Sequence, residues 1–192
     1  MNPNMNFGQM VRGPGQAGQE GTFTGVLDLR GIVKIINGIM ILKAADSPDW
    51  TAAHDQELAV WMAQYADWLE NSLLGKRSAS RPKYEYEAHS LAKRGTDLCW
   101  ICSNHATFYV SQVIATRVLA GNISGATAAA QDYFSHQFLD QVAASGEQPF
   151  EAVRTRPFHY RCFNLEAMIV SAPVILTAML NLIILADQCK DW

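Results

Sequence analysis

The chain has 192 residues, enough to bury a hydrophobic core as one domain. Hydrophobic residues make up 49% of it and charged residues 17%, a composition that excludes disorder and fibrous classes for most of its length. The formal net charge of -3 excludes the global basic field on which nucleic-acid binders depend. We therefore expect no nucleic-acid partner and infer that any bound anion is held locally.

The N-terminal half begins with a polar stretch. Residues 1–21 are rich in Gly, Gln and Asn, which predicts a disordered tail and not a secretory signal. Apolar residues at helical spacing then predict a first helix over 26–44, buried on most of its surface. Thr51 is a suitable cap for a second helix, which the same spacing extends to about Leu74.

The middle of the chain loses this periodicity and then regains it. Between Gly75 and Ser103 cationic residues concentrate, which predicts a long loop or an insertion foreign to the fold. A third helix is predicted over 105–119, ending at Gly121-Asn122. A fourth helix, capped by Ser124, is expected to run to about Ala143.

The C-terminal part is apolar from Phe163 to Ala186, and its last twenty residues, 167–186, carry no charge. Such a stretch is long enough to cross a bilayer core. Its polar and helix-breaking positions weaken that interpretation; these are Ser171, Pro173, Thr177 and Asn181. We favour a buried helix and keep a membrane anchor as the alternative.

Because no segment alternates with period two over enough residues to form a strand, we predict an all-α protein built from helical hairpins. The expected organisation has three parts: a tail over 1–21, a helical domain over 22–170 with an insertion at about 75–103, and a helix over 171–192.

The four cysteines are too few for a disulfide scaffold in a chain of this length. Cys99 and Cys102 form a Cys-x-x-Cys pair, which would bind zinc with Cys162 and Cys189 or act in redox chemistry. A single pair is weak evidence for either role, so we expect no metal site.

The first cluster of chemically versatile residues is Asn104-His105-Ala106-Thr107-Phe108-Tyr109, at the opening of the third predicted helix. Unpaired backbone N–H groups and the helix dipole favour anions there. Asn104, His105 and Tyr109 lie within about one helical turn or slightly more of each other. The alternative is structural: Asn104 caps the helix, and His105 and Tyr109 are packed.

The second cluster runs from Arg154 to Arg161 and holds three arginines, His159 and Tyr160. No carboxylate between Glu151 and Glu166 is available to neutralise it. Arginine forks recognise carboxylates, and a His-Tyr pair can exchange protons, so the cluster suits an acidic substrate and acid/base catalysis. The alternative is a solvated basic surface.

Both clusters resemble motifs of one family. Residues 103–109 are similar to the Asn-Asn-His-Gly-Thr-Trp-Tyr signature of the alginate lyase superfamily. Residues 151–160 resemble its Glu-Leu-Ala-Arg-Thr-Arg-Ser-Trp-His-Tyr. The segment 27–31, the helix ending at 68–69 and the Gly-Glu-Gln-Pro turn at 146–149 follow the order found in that family.

This resemblance implies an incomplete toroid of α/α hairpins. It also implies a polysaccharide lyase that cleaves a uronic-acid polymer, such as alginate or glucuronan, by β-elimination. The reaction removes the C5 proton beside the uronate carboxylate, and donors around the developing charge lower the barrier. It needs no cofactor, and the resemblance implies extracellular action.

The family pattern also implies residue roles. Asn104, with Arg154 or Arg156, would neutralise the substrate carboxylate, and Tyr160 with His105 or His159 would transfer protons. Since an ordinary phenol has a pKa near ~10, a neighbouring guanidinium would have to lower the pKa of Tyr160. The residues expected to bind substrate around these groups are Tyr109, Gln148, Arg156 and Arg161.

Length and sequence differences qualify the resemblance. The segment 84–102 has no counterpart in the family, and complete toroids are far longer than this chain. We therefore expect a truncated member, active or inactive, with exposed apolar faces that promote a homo-oligomer. The competing hypothesis is a non-catalytic helical remnant that binds an acidic glycan or attaches to a membrane.

Overall fold

A computed structural model describes residues 23–79 and 103–188. No strand occurs in these two ranges, which confirms the prediction of an all-α protein. The predicted tail over 1–21, most of the insertion, and Cys99, Cys102 and Cys189 lie outside the described residues. A 3-10 helix, Phe23–Leu29, precedes the α-helices, which are α1 (Ile32–Ala44), α2 (Ala52–Asn71), α3 (Leu73–Ala79), α4 (Asn104–Leu119), α5 (Ile123–Ser135), α6 (Gln137–Gln141), α7 (Pro149–Ala152) and α8 (Pro157–Gln188).

The first predicted helix is two elements, separated at Arg30-Gly31. The expectation that its surface is mostly buried was wrong. One face of α1 is buried, whereas Ile35 and Ile41 on the other are 52% and 69% exposed. Periodicity alone did not distinguish the two faces, because apolar residues occupy both.

The second helix begins where the sequence predicts. Thr51 accepts a hydrogen bond from the backbone N–H of His54, as expected of an N-cap. The helix ends at Asn71, three residues earlier than predicted, and the chain turns at Ser72 into α3. The predicted loop therefore begins with a helix, since α3 extends to Ala79.

The central element is α4, which packs against α1, α2, α5 and α8. Most of its residues are buried, including five polar ones. Ser111 and Thr116 each donate to the carbonyl four residues earlier, and Gln112 donates to the carbonyl of Val26 and accepts from the hydroxyl of Tyr65. These bonds satisfy polar groups that would otherwise be costly to bury.

A tight turn joins α4 to α5 as a helical hairpin. Gly121 has a φ of +81°, a left-handed conformation that glycine adopts without strain. Asn122 caps α5 by accepting from the N–H of Gly125, so the expected cap at Ser124 was wrong. The fourth predicted helix is also interrupted, because His136 separates α5 from α6.

The last helix, α8, begins at Pro157, six residues before the predicted apolar segment. It packs on α4 through a buried stripe that includes Asn164, Ala167 and Val174. The opposite face is apolar but exposed, with Ile169 at 69%, so the expectation of a buried helix holds for one face. Among the described residues, Pro157–Leu180 is long and apolar enough to span a membrane by length and composition.

The fold makes a prediction at Gly75 in α3. A Cβ atom there would overlap the backbone carbonyl of Leu69. We expect Gly75→Ala to lower the free energy of unfolding by about 1–3 kcal/mol because the backbone must move. The matched control is Gly38→Ala in α1, where a Cβ atom meets no atom within 4 Å. We expect this substitution to raise the free energy of unfolding by about 0.5–1 kcal/mol. Urea denaturation measures both, and equal stabilities of the two variants would contradict this packing.

Candidate functional site

The start of α4 is joined to α7 by one buried pair. The carboxylate of Glu151 accepts from the backbone N–H of Asn104 at 2.6 Å and from its side-chain amide at 3.0 Å through each oxygen. Asn104 is 2% exposed and Glu151 is 1% exposed. Residues from the two motifs, 103–109 and 151–160, therefore touch, although they are 47 positions apart.

This pair changes the interpretation of the helix opening. The negative group at the α4 N-terminus is the protein's own carboxylate, which the helix dipole favours. The backbone N–H of Asn104 is thus already bonded and does not face a ligand. The structural alternative, Asn104 as a cap, is also wrong, because Ser103 occupies the N-cap position.

A buried chain of polar side chains continues from this pair. The amide nitrogen of Gln141 donates to the carbonyl of Ser103, and the hydroxyl of Thr107 bonds to Asn164 at 2.6 Å. The amide of Asn164 in turn donates to Gln148 at 2.9 Å. Gln148 is 4% exposed, so its side chain fixes the 146–149 turn against α8 from inside.

Tyr109 lies in the core and away from solvent. It is 7% exposed, and its hydroxyl donates to the carbonyl of Leu69 at 2.8 Å. Burial, with the charge of Glu70, raises the pKa of Tyr109 to about 12, so it keeps its proton. In this conformation Tyr109 connects α4 to α2 and does not reach the exposed cluster.

The exposed part of the site lies at the start of α8. The guanidinium of Arg154 lies 4.1 Å from the ring centroid of Tyr160, a cation–π contact. The ring of His159 contacts that of Tyr160 with centroids 5.4 Å apart, and stacks on Phe163 at 6.0 Å. Arg154 and Tyr160 are half-buried, whereas Arg156 and His159 are exposed.

Arg161 differs from Arg154 and Arg156 because it is paired with a carboxylate of the protein. Its guanidinium forms two hydrogen bonds with the carboxylate of Glu147, at 2.7 and 2.8 Å. Residues 152–165 contain no carboxylate, but Arg161 is nevertheless neutralised by a carboxylate from outside that segment. Glu147 comes from the preceding turn, fourteen positions away, and lowers the charge that Arg161 can offer a ligand.

His105 is half-buried beside this cluster. Burial, with the nearby charge of Arg154, lowers the pKa of His105 to about 4. Its imidazole is therefore neutral at neutral pH and has a nitrogen that can accept a proton. The structure brings Arg154 close to both His105 and Tyr160, which unites the two predicted clusters.

Glu151 and Glu147 are the residues that sequence reasoning did not select. Glu151 opens the second motif, but its position in the sequence does not indicate that it bonds to Asn104. No local signal joins Glu147 to Arg161. In the described ranges, 23–79 and 103–188, no group of three His, Cys, Asp or Glu side chains is placed to hold a metal ion.

Comparisons with known proteins show a family and a fold. The family model described as alginate lyase matches residues 1–182. A crystal structure of an alginate lyase from Bacteroides ovatus matches with a TM-score of 0.69 and 23% sequence identity, over 93% of this chain and 40% of that chain. That likeness shows a shared fold, and the chain spans two-fifths of the solved protein's length. A search of curated proteins finds no match.

The site makes a prediction about pH and stability. The folded chain keeps His105 neutral to about pH 4, whereas the unfolded chain protonates it near 6.5. Between these values the unfolded state binds more protons, so the free energy of unfolding falls as the pH falls, by about 3 kcal/mol for this group. We expect His105→Gln to remove that part of the pH dependence in urea titrations.

The control is His54→Gln, at an exposed position on α2. It measures how removal of an exposed imidazole changes the pH dependence of stability. Identical pH profiles for the wild type and His105→Gln would contradict the assigned burial of His105.

Proposed function

Because this chain belongs to the alginate lyase family, we propose that it is a polysaccharide lyase acting on a uronic-acid polymer, alginate or glucuronan. One observation carries the proposal: the Arg154 guanidinium lies against the ring of Tyr160 and acts on the neutral His105. A cation, a phenol and an unprotonated imidazole are thus gathered at one partly exposed place. Such polymers are extracellular materials, so we propose action outside the cell.

The proposed reaction is a β-elimination. A base removes the C5 proton of the uronate, the electron pair forms a C4–C5 double bond, and the bond from C4 to the glycosidic oxygen breaks. An acid then protonates the departing oxygen. Negative charge develops on the carboxylate attached to C5, so fixed positive groups near it lower the barrier.

The side chains suit these tasks. Arg154 is placed to hold the uronate carboxylate, and Arg156, exposed next to it, extends the positive surface along the polymer. His105 is the proposed base, because its low pKa leaves it unprotonated at neutral pH. Tyr160 is the proposed acid that protonates the leaving oxygen, and His159, in contact with its ring, is the alternative proton carrier.

Asn104 would contribute through its side-chain amide, and Glu151 fixes where that amide points. Both oxygens of Glu151 lie 3.0 Å from the amide nitrogen of Asn104, so a substrate carboxylate would bind this nitrogen through an N–H group that Glu151 does not take. We assign Asn104 to the carboxylate-binding group by family resemblance and Glu151 to its positioning. Tyr109 and Gln148 shape the site from within, and Arg161 binds substrate only in competition with Glu147.

The test is formation of an unsaturated uronate, followed by absorbance near ~235 nm, with alginate and with glucuronan as separate substrates. We expect product from one of them, and a loss of at least about 100-fold for Tyr160→Phe and for His105→Gln. His54→Gln on α2 is the matched control and should retain the wild-type rate.

Circular dichroism establishes that each variant is folded. If the folded wild-type protein binds the polymer but releases no product, the lyase proposal is wrong and the non-catalytic glycan-binding alternative holds. A wild-type rate for Tyr160→Phe would overturn the role proposed for its hydroxyl.

A further inference from the structure

A cavity lies beside the proposed site. It has a volume of about 240 Å³ and lies between the turn before α1, the middle of α4 and α8. Its polar lining residues are Asp28, Arg30, Lys34, Ser111 and Glu166. Its apolar lining includes Val33, Phe108 and Val170. Pockets for drug-sized ligands begin at roughly 300 Å³, so this one suits a single sugar ring.

Arg30 is the cation that distinguishes this cavity. Its guanidinium lies over the ring of Phe163 at 5.3 Å and over that of Phe108 at 5.8 Å, and donates one hydrogen bond to the carbonyl of Leu27. In the part of the chain that the structure describes, no carboxylate forms an ion pair with it. The remaining N–H groups of its fork can therefore bind a carboxylate.

The other charges favour a sugar acid over a simple anion. Lys34 and Glu166 neutralise each other across the cavity wall at 2.6 Å. Asp28 lines the same cavity as Arg30 and can accept hydrogen bonds from hydroxyl groups, which a sugar acid carries beside its carboxylate. A uronate ring has a carboxylate for Arg30, hydroxyls for Asp28 and an apolar C–H face for Val33 and Val170.

Phe163 connects this cavity to the proposed catalytic residues. One neighbour of its ring is Arg30, and another is His159, stacked with an interplanar angle of 8°. The ring of Phe108 packs against the ring of Phe163, with centroids 4.5 Å apart. A sugar ring in the cavity would therefore be separated from a ring at Tyr160 by one aromatic side chain.

We propose that this cavity is a binding subsite for one uronate residue of the polymer, with Arg30 holding its carboxylate and Asp28 its hydroxyls. The proposal deepens and rests on the proposed function, because it concerns the same polymer. Arg30 holds a carboxylate in the cavity and not the reacting atoms, so it acts on substrate binding.

The test measures Kd by calorimetry in the Tyr160→Phe chain, which prevents turnover. The ligands are saturated uronate tetrasaccharides from alginate and from glucuronan, each with its carboxyl-reduced, neutral form. We expect Arg30→Gln to raise the Kd of an acidic tetrasaccharide at least five-fold and that of its neutral form less than two-fold. Asp28→Asn should weaken both forms by a similar factor.

Lys43→Gln is the control, because it removes a cation from the opposite end of α1. It should leave every Kd unchanged. No binding of either acidic tetrasaccharide, or an equal Kd for folded Arg30→Gln and its parent, would overturn the subsite.

Product formation by the chain with Tyr160 intact is measured separately. No product together with the expected pattern of Kd values would overturn the lyase and leave the subsite standing. Product together with unchanged Kd and KM for Arg30→Gln would overturn the subsite alone.

Discussion

The rest of the site depends on the hydrogen bonds between the Glu151 carboxylate and Asn104. Buried and bonded three times to Asn104, this carboxylate holds α7 against the first turn of α4. A buried charge is stable only when its hydrogen bonds are made, so the contact tolerates little displacement. Because Arg154 and the start of α8 follow directly after α7, this contact also sets how far Tyr160 lies from His105.

The helix that carries Asn104 is rigid for a related reason. Most of α4 is buried, and its polar side chains bond to its own carbonyls or to neighbouring helices. An unpaired group there would cost about 1–3 kcal/mol, so the helix has few alternative positions. Chemistry at one end of the helix is thus supported by packing along its whole length. The exposed groups, by contrast, lie at the start of α8, where solvent can reach them.

Local signals in the sequence predicted much of the fold and part of the candidate site. The Thr51 cap, the extent of α4 and the all-α fold follow from periodicity and capping, which act within a few residues. The two motifs predicted one site, and the structure places Arg154 near both His105 and Tyr160. The family resemblance, confirmed by the match over residues 1–182, supplied the chemistry that composition alone does not contain.

Partner choice between distant residues was not predictable. Nothing local indicates that Glu151 binds Asn104, 47 positions away, or that Glu147 takes Arg161 and not Arg154. The exposed apolar face of α8 was missed for a similar reason, since an apolar sequence does not tell which side is covered. These features depend on how helices pack, and packing is decided by the whole chain.

The most direct measurement compares Glu151→Gln with Glu147→Gln in the assay for unsaturated product, on alginate and glucuronan. Gln at 151 replaces an acceptor oxygen by a donor facing the Asn104 amide, so we expect kcat to fall about 100-fold with a smaller change in KM and a native helical spectrum. Glu147→Gln should keep kcat within a few-fold. Equal activities in the two variants would contradict the account, because Glu151 would then not position the site.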